Sequence, residues 1–526
     1  MLKFKTKYPG SGESISSYNP ATGKIIGEIK GYTVEDGRAA VERAKLAQKK
    51  WEALGLDGRI DVLRRFQQVL MDKADEVCKL IAMENGKPLQ EAMETEVLPI
   101  IDLLGYFLKR APKILGDRKI SMHLLKYRRS YINYRPRGVM LVISPWNFPF
   151  TIPVGETIMG LLAGNVVIQK PASLTPLIAL KTRELFDEAG LDPDVFQVAP
   201  APGAIASEMI SMGVDYVNFT GSTSVGLRVS ELCGKLLIPC SMELGGKDPL
   251  IVRKDADLDL AAGAIVWGAY ANSGQICAAV ERVYAHEDIY DRLVELVVER
   301  VKKLRVGDPL AAEVDMGPMV DPNQLAIVEQ QAKDAVSKGA KCLTGGKRIE
   351  GAGQFFEPTV FVNVDESMDV VSEETFGPLL PIIKVSSDEE AIARANDSIY
   401  GLNAYIFSGD RQEARNMAEK LESGSVVIND VLINHGLPET PWQGVKKSGT
   451  GRVHSDDGLR DLCVAYHINE ESSIPSLKNN PFWYPYGPKT YGILMSLAKT
   501  LYGNGLRKKL SGLKALVAGI FGLGRL

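Results

Sequence analysis

The chain contains few cysteines, and no two of them have the CxxC spacing of a metal or redox site. Only six of its 526 residues are cysteine. Scattered cysteines of this kind predict neither a disulfide framework nor a zinc site, and they fit a reducing cytoplasm best. We therefore expect a cytoplasmic protein without a bound metal. The six are Cys78, Cys233, Cys240, Cys277, Cys342 and Cys463.

Features of exported and membrane proteins are also missing. The N-terminal stretch MLKFKTKYPGSGES has no apolar core of the kind found in a signal peptide. Mean hydropathy is close to zero, which argues against a multi-span membrane protein. Near the C-terminus the longest uncharged run, ALVAGIFGLG, has ten residues, too few to span a bilayer.

Acidic residues are absent from residues 476–526, which contain eight Lys or Arg and the aromatic cluster NPFWYPYGP. Apolar side chains there recur at helical spacing beside basic ones, which predicts a basic amphipathic extension. Two interpretations stay open: the extension lies on an anionic membrane surface, or it packs against a partner subunit near the substrate entrance. The apolar residues are Leu510, Leu513, Leu516, Val517, Ile520 and Phe521, and the basic ones are Arg507, Lys508, Lys509 and Lys514.

The rest of the chain is long enough for two or more domains. Residues 34–112 have the spacing of helices, interrupted at Gly86 and Pro88. After residue 139 short apolar runs alternate with helical stretches, and a second series of the same kind begins near residue 249. The pattern predicts an α/β fold with two doubly wound, Rossmann-like domains that meet near residue 248.

Loops that follow strands are the places to look for ligand sites in such sheets. In FTGSTSVG, Gly221, Ser222 and Gly226 stand between a strand and a helix, where free backbone N–H groups favour a phosphate. The alternative is an ordinary glycine turn. Lys170 ends the strand VVIQK and could meet a ribose or a phosphate, or simply reach water.

Three other residues carry reactive groups at comparable places. Glu243 precedes a Gly-Gly pair that leaves room for its carboxylate to act as a base. Asn147 in SPWNFPF could donate to an oxyanion, and Cys277 in NSGQICAAV could be a nucleophile. Taken singly, each has an ordinary alternative: a solvated carboxylate, a turn-forming asparagine and a buried, inert thiol.

Together these fragments resemble the aldehyde dehydrogenase superfamily over roughly residues 15–470. The resemblance rests on nine motifs in the family's order, and the order rather than any single residue is what makes it specific. The motifs are YNPATGKIIG, ENGKPLQEA, SPWNFPF, QKPASLTP, FTGSTSVG, MELGGKDPLIV, NSGQICAA, EETFGP and GVKKSGTGR.

The resemblance implies a catalytic role for three residues. Cys277 would be the nucleophile, Glu243 would activate water, and Asn147 with the Cys277 backbone N–H would form the oxyanion hole. An aldehyde would then become a carboxylic acid through a thiohemiacetal and a thioester on Cys277, with reduction of NAD or NADP. Because relatives that transfer the acyl group to coenzyme A generally lack the glutamate, Glu243 favours hydrolysis.

The resemblance also implies a set of cofactor-binding residues. Lys170 would lie near the adenosine ribose, Ser222 at the pyrophosphate, and Glu374 at the nicotinamide ribose with Phe376 beside the ring. NAD-selective relatives tend to have an acid where this chain has Ser173, so we expect NADP to be tolerated. The full set is Trp146, Lys170, Ser173, Gly221, Ser222, Gly226, Leu244, Glu374 and Phe376.

The family's architecture divides the chain into four parts, with a small β arm for oligomerisation beside the two α/β domains. We expect a homodimer or homotetramer that acts on a small aldehyde and binds no nucleic acid. Asp456 stands where relatives often have an auxiliary glutamate, and its shorter side chain keeps it out of the predicted catalytic set. The parts are 1–120 with 139–248 (cofactor), 249–450 (catalytic), 121–138 with 451–475 (arm) and 476–526 (extension).

The identity of the aldehyde is open at this level. The segment DVLINHGLPETPW and residues near Cys277 should shape the aldehyde funnel. Medium- or long-chain and aromatic aldehydes are one expectation, and a semialdehyde is the alternative. A catalytically silent binding or structural relative is a third interpretation, which retention of Cys277, Glu243 and Asn147 together disfavours.

Overall fold

The computed structural model describes residues 1–4, 6–126, 128–471, 483–484, 486–487 and 489–523. By their internal contacts the residues form two units. The first consists of Met1–Gly116 with Tyr134–Tyr466, and the second of Asp117–Asn133 with His467–Leu526. All the predicted catalytic and cofactor residues belong to the first unit.

The N-terminal region forms a β-hairpin followed by helices. Thr33 caps the first helix: its hydroxyl accepts from the Asp36 backbone N–H, and the Asp36 carboxylate accepts from the Thr33 N–H. Gly86, at φ 88°, ends the third helix as the sequence predicts. The elements are β1 Ser14–Tyr18, β2 Ile25–Lys30, α1 Val34–Ala53, α2 Gly55–Asp72, α3 Ala74–Asn85, α4 Leu89–Ala92, a π-helical turn Met93–Val97 and α5 Leu98–Ile114.

After two arm strands, β3 Arg118–Ile120 and β4 Arg128–Pro136, the chain builds the first parallel sheet. Five of its strands are mainly apolar and buried on both faces, as expected when helices cover both sides of a sheet. These are β5 Val139–Ile143, β6 Val166–Lys170, β7 Phe196–Val198, β8 Tyr216–Thr220 and β9 Cys240–Glu243, with α6 Thr151–Leu162, α7 Pro176–Glu188, α8 Gly203–Ser211 and α9 Thr223–Leu236.

The strand order of this sheet reverses next to β5. It runs β9-β8-β5-β6-β7, so the chain proceeds from β5 to one side through β6 and β7 and to the other through β8 and β9. A crevice forms at such a switch point, beyond the carboxyl ends of the strands. The loops after β5 and β8, which carry Asn147 and Ser222, therefore lie at the same edge.

A second sheet follows, with the order β12-β13-β14-β11-β10-β15-β16. All its neighbouring pairs are parallel except the edge pair β12-β13. The prediction of two doubly wound α/β sheets is confirmed. Its elements are β10 Pro249–Val252, α10 Leu258–Tyr270, β11 Arg282–His286, α11 Glu287–Val301, α12 Pro322–Ser337, β12 Lys341–Thr344, β13 Thr359–Val362, α13 Asp369–Ser372, β14 Leu379–Val385, α14 Asp388–Asn396, β15 Asn403–Phe407, α15 Arg411–Ala418 and β16 Ser425–Ile428.

The chain then returns to the first sheet. The short strand β17 Gly449–Thr450 pairs antiparallel with β9, with Gly449 opposite Glu243. The predicted boundary near residue 248 falls between β9 and β10, where the sheets change. The residue limits of the predicted domains remain a prediction. Short 3₁₀ turns occur at Ala271–Gly274, Asn434–Gly436 and Lys446–Ser448.

The remaining elements are α16 Ser455–Asp461, β18 Cys463–Glu471, α17 Thr490–Tyr502 and α18 Leu506–Leu523. The segments predicted to form the arm, 121–138 and 451–475, contain β4 and β18, which share a three-stranded sheet of order β18-β4-β3. The aromatic cluster predicted at 480–488 lies largely outside the described residues. Within the described part of the chain, no helix is both long and apolar enough to cross a bilayer.

Candidate active site

Two cavities meet at the side chain of Cys277. One, of about 440 Å³, is mainly apolar and is called the aldehyde cavity below. The other, of about 590 Å³, lies at the carboxyl edge of the first sheet and is called the cofactor cleft. Cys277 and Ile152 line both, so a group bound in one cavity can touch a group bound in the other only near this thiol.

The turn that precedes Cys277 has an unusual backbone. Asn272, Ser273 and Gly274 follow one another with φ of 49°, 57° and 73°, in the left-handed region. Asparagine and glycine enter this region most readily, and a Cβ on Gly274 would lie 2.4 Å from the Gly377 carbonyl oxygen. The motif NSG is therefore the local reason why Cys277 leaves α10 and points into the cavities.

Buried polar contacts hold this turn in place. The carboxylate of Glu91 accepts from the Asn272 backbone N–H at 2.8 Å, and the Ser273 hydroxyl donates to the Gly317 carbonyl at 2.8 Å. The Gln275 side-chain oxygen accepts from the Val320 N–H at 2.9 Å. These bonds tie the turn to α4 and to the loop before α12.

The Cys277 thiol and the Glu243 carboxylate line the cofactor cleft together. The thiol opens onto two narrow cavities yet lies deep among protein atoms, and this burial, with the carboxylates of Glu243 and Asp248 nearby, holds the pKa of the thiol well above its usual value. In the ligand-free protein the sulfur is therefore a protonated thiol. A neighbouring base has to take its proton before it can act as a nucleophile.

Glu243 has the properties of such a base. It ends β9 and is almost fully buried. Burial raises the pKa of its carboxyl to about 7, and the hydrogen bond from the Trp442 indole opposes this effect. The indole Nε1 lies 3.2 Å from Glu243 Oε1. A carboxyl with this pKa exchanges protons at neutral pH, as general bases do.

Asn147 lies in the loop between β5 and α6. Its side-chain Nδ2 donates to the Gln275 carbonyl at 3.0 Å, two residues before Cys277. Its own carbonyl accepts from the Asn272 side chain at 3.0 Å and from Lys87 at 3.3 Å. The amide group has two N–H donors, so the contact with Gln275 orients the second one beside the thiol-bearing turn.

A buried ion pair supports the Asn147 loop. Lys87 Nζ and Glu96 Oε1 are 2.8 Å apart, and both side chains are inaccessible to solvent. Lys87 also lies over the Phe148 ring at 3.6 Å, and the second Glu96 oxygen accepts from the backbone N–H of Phe150 and of Thr151. The pair thus joins the loop to the beginning of α6.

The cofactor cleft brings together the predicted cofactor residues from several loops. Trp146, Lys170, Ser173, Gly221, Ser222, Leu244, Glu374 and Phe376 line it with Asn147, Glu243 and Cys277. Gly226 does not. It lies behind Leu244, and a Cβ there would come within 2.2 Å of Leu244 Cδ2, so this glycine permits α9 to approach the loop after β9.

Lys170 shows best that the cleft suits an anionic or hydroxyl-bearing ligand. It ends β6, is almost fully buried, and burial lowers its pKa to about 8. Among the described residues, no acceptor for its Nζ is found. A largely buried ammonium group without a partner is costly, so a ligand oxygen in the cleft would stabilise it.

The opposite wall of the cleft is formed by the loop before β14. Glu374 accepts from the Gly246 N–H at 3.0 Å, and burial with the nearby charge of Glu281 raises its pKa to about 8. The Phe376 ring is edge-on to Trp146, with ring centres 5.4 Å apart. Glu281 accepts from the Phe376 N–H and pairs with the buried Lys247 at 2.6 Å.

The aldehyde cavity has few charged walls. Its lining includes the acids Glu94 and Asp102 but neither Lys nor Arg. Burial lowers the pKa of His435 to about 4, so that this imidazole is neutral near pH 7. Much of the segment DVLINHGLPETPW forms one side, as predicted. The other lining residues are mainly apolar: Leu98, Pro99, Phe148, Ile152, Trp267, Ile276, Ala278, Val431, Leu432, Ile433, Leu437 and Trp442.

Sequence reasoning assigned no role to Lys87, Glu96, Lys247 or Glu281. Lys87 and Lys247 stand in two of the motifs that carry the family resemblance, whereas Glu96 and Glu281 stand in none of them. Asp456 lies in α16, where it pairs with Arg110 at 2.9 Å. It lines neither cavity.

Comparison with known proteins gives one family. Residues 8–468 match the model of the family described as "Aldehyde dehydrogenase family". Among curated proteins, 4,4'-diapolycopene aldehyde oxidase from Methylomonas sp is 36% identical over 493 residues, 93% of this chain and 92% of that protein. Succinate-semialdehyde dehydrogenase [NADP(+)] GabD from Escherichia coli (strain K12) is 37% identical over 453 residues, 86% of this chain and 93% of that protein.

Among solved structures, the NAD+ complex of aldehyde dehydrogenase from Bacillus cereus superposes with a TM-score of 0.84 at 30% identity. The match covers 87% of this chain and 93% of that one.

Proposed function

Because the chain belongs to the aldehyde dehydrogenase family, we propose that it oxidises an aldehyde to a carboxylic acid with NAD or NADP as the electron acceptor. The observation that carries this proposal is the placement of the Cys277 thiol and the Glu243 carboxylate together on the wall of the cofactor cleft, with Cys277 also on the wall of the aldehyde cavity. This placement puts a nucleophile beside a carboxyl with a pKa of about 7, which can serve as its base.

In the first half of the reaction, Glu243 takes the proton of the Cys277 thiol. The sulfur then attacks the aldehyde carbon, and the carbonyl π electrons move to oxygen to give a thiohemiacetal oxyanion. Asn147 Nδ2 and the Cys277 backbone N–H donate hydrogen bonds to that oxygen. Each such donor typically contributes on the order of 3 to 4 kcal/mol to stabilising the transition state.

The cofactor cleft accommodates a dinucleotide. Lys170 would bind ribose or phosphate oxygens, Ser222 at the N-terminus of α9 would meet the pyrophosphate, and Glu374 the nicotinamide ribose. When bound, the oxidised nicotinamide accepts a hydride from the thiohemiacetal carbon, and loss of this hydride leaves a thioester. Trp146 and Phe376, in edge-on contact, line the same cleft as Cys277 and would present an apolar surface to the nicotinamide ring.

In the second half, Glu243 releases its proton to solvent and then removes one from a water molecule. The resulting hydroxide attacks the thioester carbon, the carbon–sulfur bond breaks, and the acid leaves with regeneration of the thiol. Overall, aldehyde, water and oxidised cofactor give acid, reduced cofactor and a proton. A Glu243 pKa of about 7 suits both proton transfers at neutral pH.

We further propose that the substrate is an uncharged, apolar aldehyde of medium or long chain, or an aromatic one. The aldehyde cavity has no Lys or Arg on its wall to pair with a substrate carboxylate, while Glu94 and Asp102 would repel one. The alternative substrate is a semialdehyde with a terminal carboxylate, because one similar protein is named as a succinate-semialdehyde dehydrogenase. The kcat/KM for uncharged aldehydes should exceed that for succinate semialdehyde by about tenfold or more, equivalent to 1.4 kcal/mol.

The reaction is tested by rapid mixing of enzyme, cofactor and aldehyde. Glu243→Gln should still give a burst of reduced cofactor up to the enzyme concentration, but the burst should form more slowly because the thiol has lost its base. Turnover after the burst should fall about 10² to 10⁴-fold. Cys277→Ala should give no burst. A wild-type protein that forms no reduced cofactor with any aldehyde would instead support a catalytically silent binding or structural protein.

The setting of the enzyme is also proposed. The edge strands β18 and β3 of the arm can pair with strands of another subunit, which supports a homodimer or homotetramer. Light scattering of the full chain measures this directly. We place the enzyme in the cytoplasm, with residues 476–526 as a peripheral membrane contact.

A further inference from the structure

The helical hairpin α17–α18 exposes two apolar stripes that nothing in the second unit covers among the described residues. On α18, Leu506, Leu510, Leu513 and Val517 are all exposed, between 44% and 74%. Their spacing of four, three and four residues places them on one face of the helix. An ordinary surface helix has polar residues on its exposed face, so this arrangement is reversed.

Helix α17 repeats the pattern. Tyr491, Met495 and Tyr502 are exposed at 76%, 42% and 62%, and they are separated by four and seven residues. They too share one face. The hairpin therefore has an apolar stripe on each helix, rich in the leucine and tyrosine that interfacial helices use.

The two helices are packed closely on different faces from these stripes. A Cβ on Gly512 of α18 would lie 2.6 Å from the Thr500 backbone nitrogen and 2.9 Å from the Ser496 carbonyl oxygen of α17. Gly512 is buried while its neighbours Ser511 and Leu513 are exposed. Since this glycine contact holds the hairpin together, the leucine stripe is not needed for that purpose.

The charges beside the stripes identify the partner. At about 100° per residue, Lys509 and Lys514 fall on either side of the α18 stripe, and both are exposed. Lys499 and Arg507 add two exposed cations, and the sequence has no Asp or Glu after Glu471. An apolar strip between basic side chains matches a bilayer surface, where leucines enter the acyl boundary and lysines meet anionic headgroups.

We propose that the α17–α18 hairpin docks on a membrane surface that contains anionic phospholipid, with both apolar stripes facing the lipid. Among the residues that the structure describes, neither helix is both long and apolar enough to cross the bilayer, so the proposed contact is peripheral. The proposal deepens the membrane contact proposed above. It rests on the unit formed by the hairpin and not on the aldehyde chemistry.

Co-sedimentation of the full-length protein with vesicles tests the docking, without aldehyde or cofactor. Vesicles of phosphatidylcholine with phosphatidylglycerol should bind the protein about tenfold or more better than phosphatidylcholine alone, and added salt should weaken binding. The double variant Leu510→Glu, Leu513→Glu should lose this binding. The matched control is Leu260→Glu, because Leu260 is a similarly exposed helical leucine in the other unit, 50% against 49% and 46%, and it should bind as wild type.

Reversal of the flanking charges, Lys509→Glu with Lys514→Glu, should abolish the preference for anionic vesicles. The proposal is overturned if this variant binds anionic vesicles as well as wild type does, or if wild type binds neither kind of vesicle. Light scattering tests whether a partner subunit covers the stripe instead. If Leu510→Glu, Leu513→Glu lowers the oligomeric mass, the stripe is a subunit contact and the proposal is wrong. All variants should oxidise a short, water-soluble aldehyde at the wild-type rate, so that failure to dock is distinguishable from failure of the proposed reaction.

Discussion

Trp442 Nε1 donates a hydrogen bond to Glu243 Oε1 across 3.2 Å, from a position 199 residues further along the chain. Burial raises the pKa of Glu243 to about 7, and the indole opposes that effect because it stabilises the charged carboxylate. Trp442 also lines the aldehyde cavity. One side chain therefore lines the aldehyde cavity and also adjusts the pKa of the proposed base.

This contact predicts the pH dependence of turnover. Glu243 acts as a base only when deprotonated, so kcat should rise with pH through an apparent pKa near 7. Trp442→Phe keeps an aromatic ring but removes the donor, and the rise should move to higher pH by about one pH unit, the equivalent of one hydrogen bond to a charged group.

Steady-state rates measured from about pH 5.5 to 9 test this, because that range brackets the expected apparent pKa. Trp267→Phe is the control, since Trp267 lines the same cavity without a hydrogen bond to Glu243. A profile for Trp442→Phe that coincides with wild type would contradict the role of the indole.

Asn147→Ala should slow the first half-reaction by about 10² to 10³-fold, because it removes one donor to the oxyanion. The rate of the cofactor burst is the relevant measurement, since hydrolysis of the thioester would remain under the control of Glu243. Asn147→Asp is a useful companion: it keeps the size of the side chain but replaces the donor by a charge that repels the oxyanion. If Asn147→Ala gives the wild-type burst rate, the side chain does not stabilise this intermediate.

Ser173 predicts the choice of cofactor. It lines the cofactor cleft with Lys170, and no acid stands at that position to repel a 2′-phosphate. Wild type should therefore use NADP, and Ser173→Glu should reduce kcat/KM for NADP about tenfold or more relative to NAD through charge repulsion. Ser173→Gln is the uncharged control of the same size. A wild-type preference for NAD of about a hundredfold, or 2.7 kcal/mol, would refute the prediction.

The Lys87–Glu96 pair makes a prediction about stability. Lys87→Met should lower the free energy of unfolding by about 3 to 5 kcal/mol, because it leaves the Glu96 carboxylate buried without its cation. The double variant Lys87→Met, Glu96→Gln should recover part of this loss. Chemical denaturation of both proteins measures it.

An exposed ion pair provides the contrast. Lys235 and Glu231 are 2.7 Å apart with both side chains about two-thirds exposed, so Lys235→Met should change the free energy of unfolding by less than about 1 kcal/mol. If Lys87→Met lowers the free energy of unfolding no more than this control does, then water or a structural rearrangement stabilises the Glu96 carboxylate without Lys87. In that case the ion pair does not hold the Asn147 loop in place.

Much of the fold could be predicted because short stretches of sequence indicate the strands and the helix ends. Apolar runs mark the strands of both sheets, and Gly86 ends α3 where its freedom to adopt positive φ is needed. The ordered motifs also predicted catalytic roles for Cys277, Glu243 and Asn147, three residues that line one cleft in the structure. Strand order was not accessible in this way, nor was the return of β17 to pair with β9, because pairing depends on residues about two hundred positions apart.

The supporting residues of the site were missed for a related reason. Lys87, Glu96, Lys247 and Glu281 carry no local signal that distinguishes a buried ion pair from a solvated charge. Only the surrounding atoms show that Lys87 is enclosed between Glu96 and the Phe148 ring. Likewise, the placement of Gly226 behind Leu244 rather than on the cleft wall follows from packing.

The amino-acid sequence by itself determined the reactive groups of this protein and their order along the chain: a thiol, a carboxylate and an amide in loops that follow strands. Tertiary structure decided their properties. The pKa of Glu243 depends on how many protein atoms replace water around it, the charge of the aldehyde cavity depends on which side chains converge there, and the apolar stripes of the hairpin depend on which faces Gly512 buries. Each is a matter of solvent exclusion by residues distant in the chain, which a linear pattern does not record.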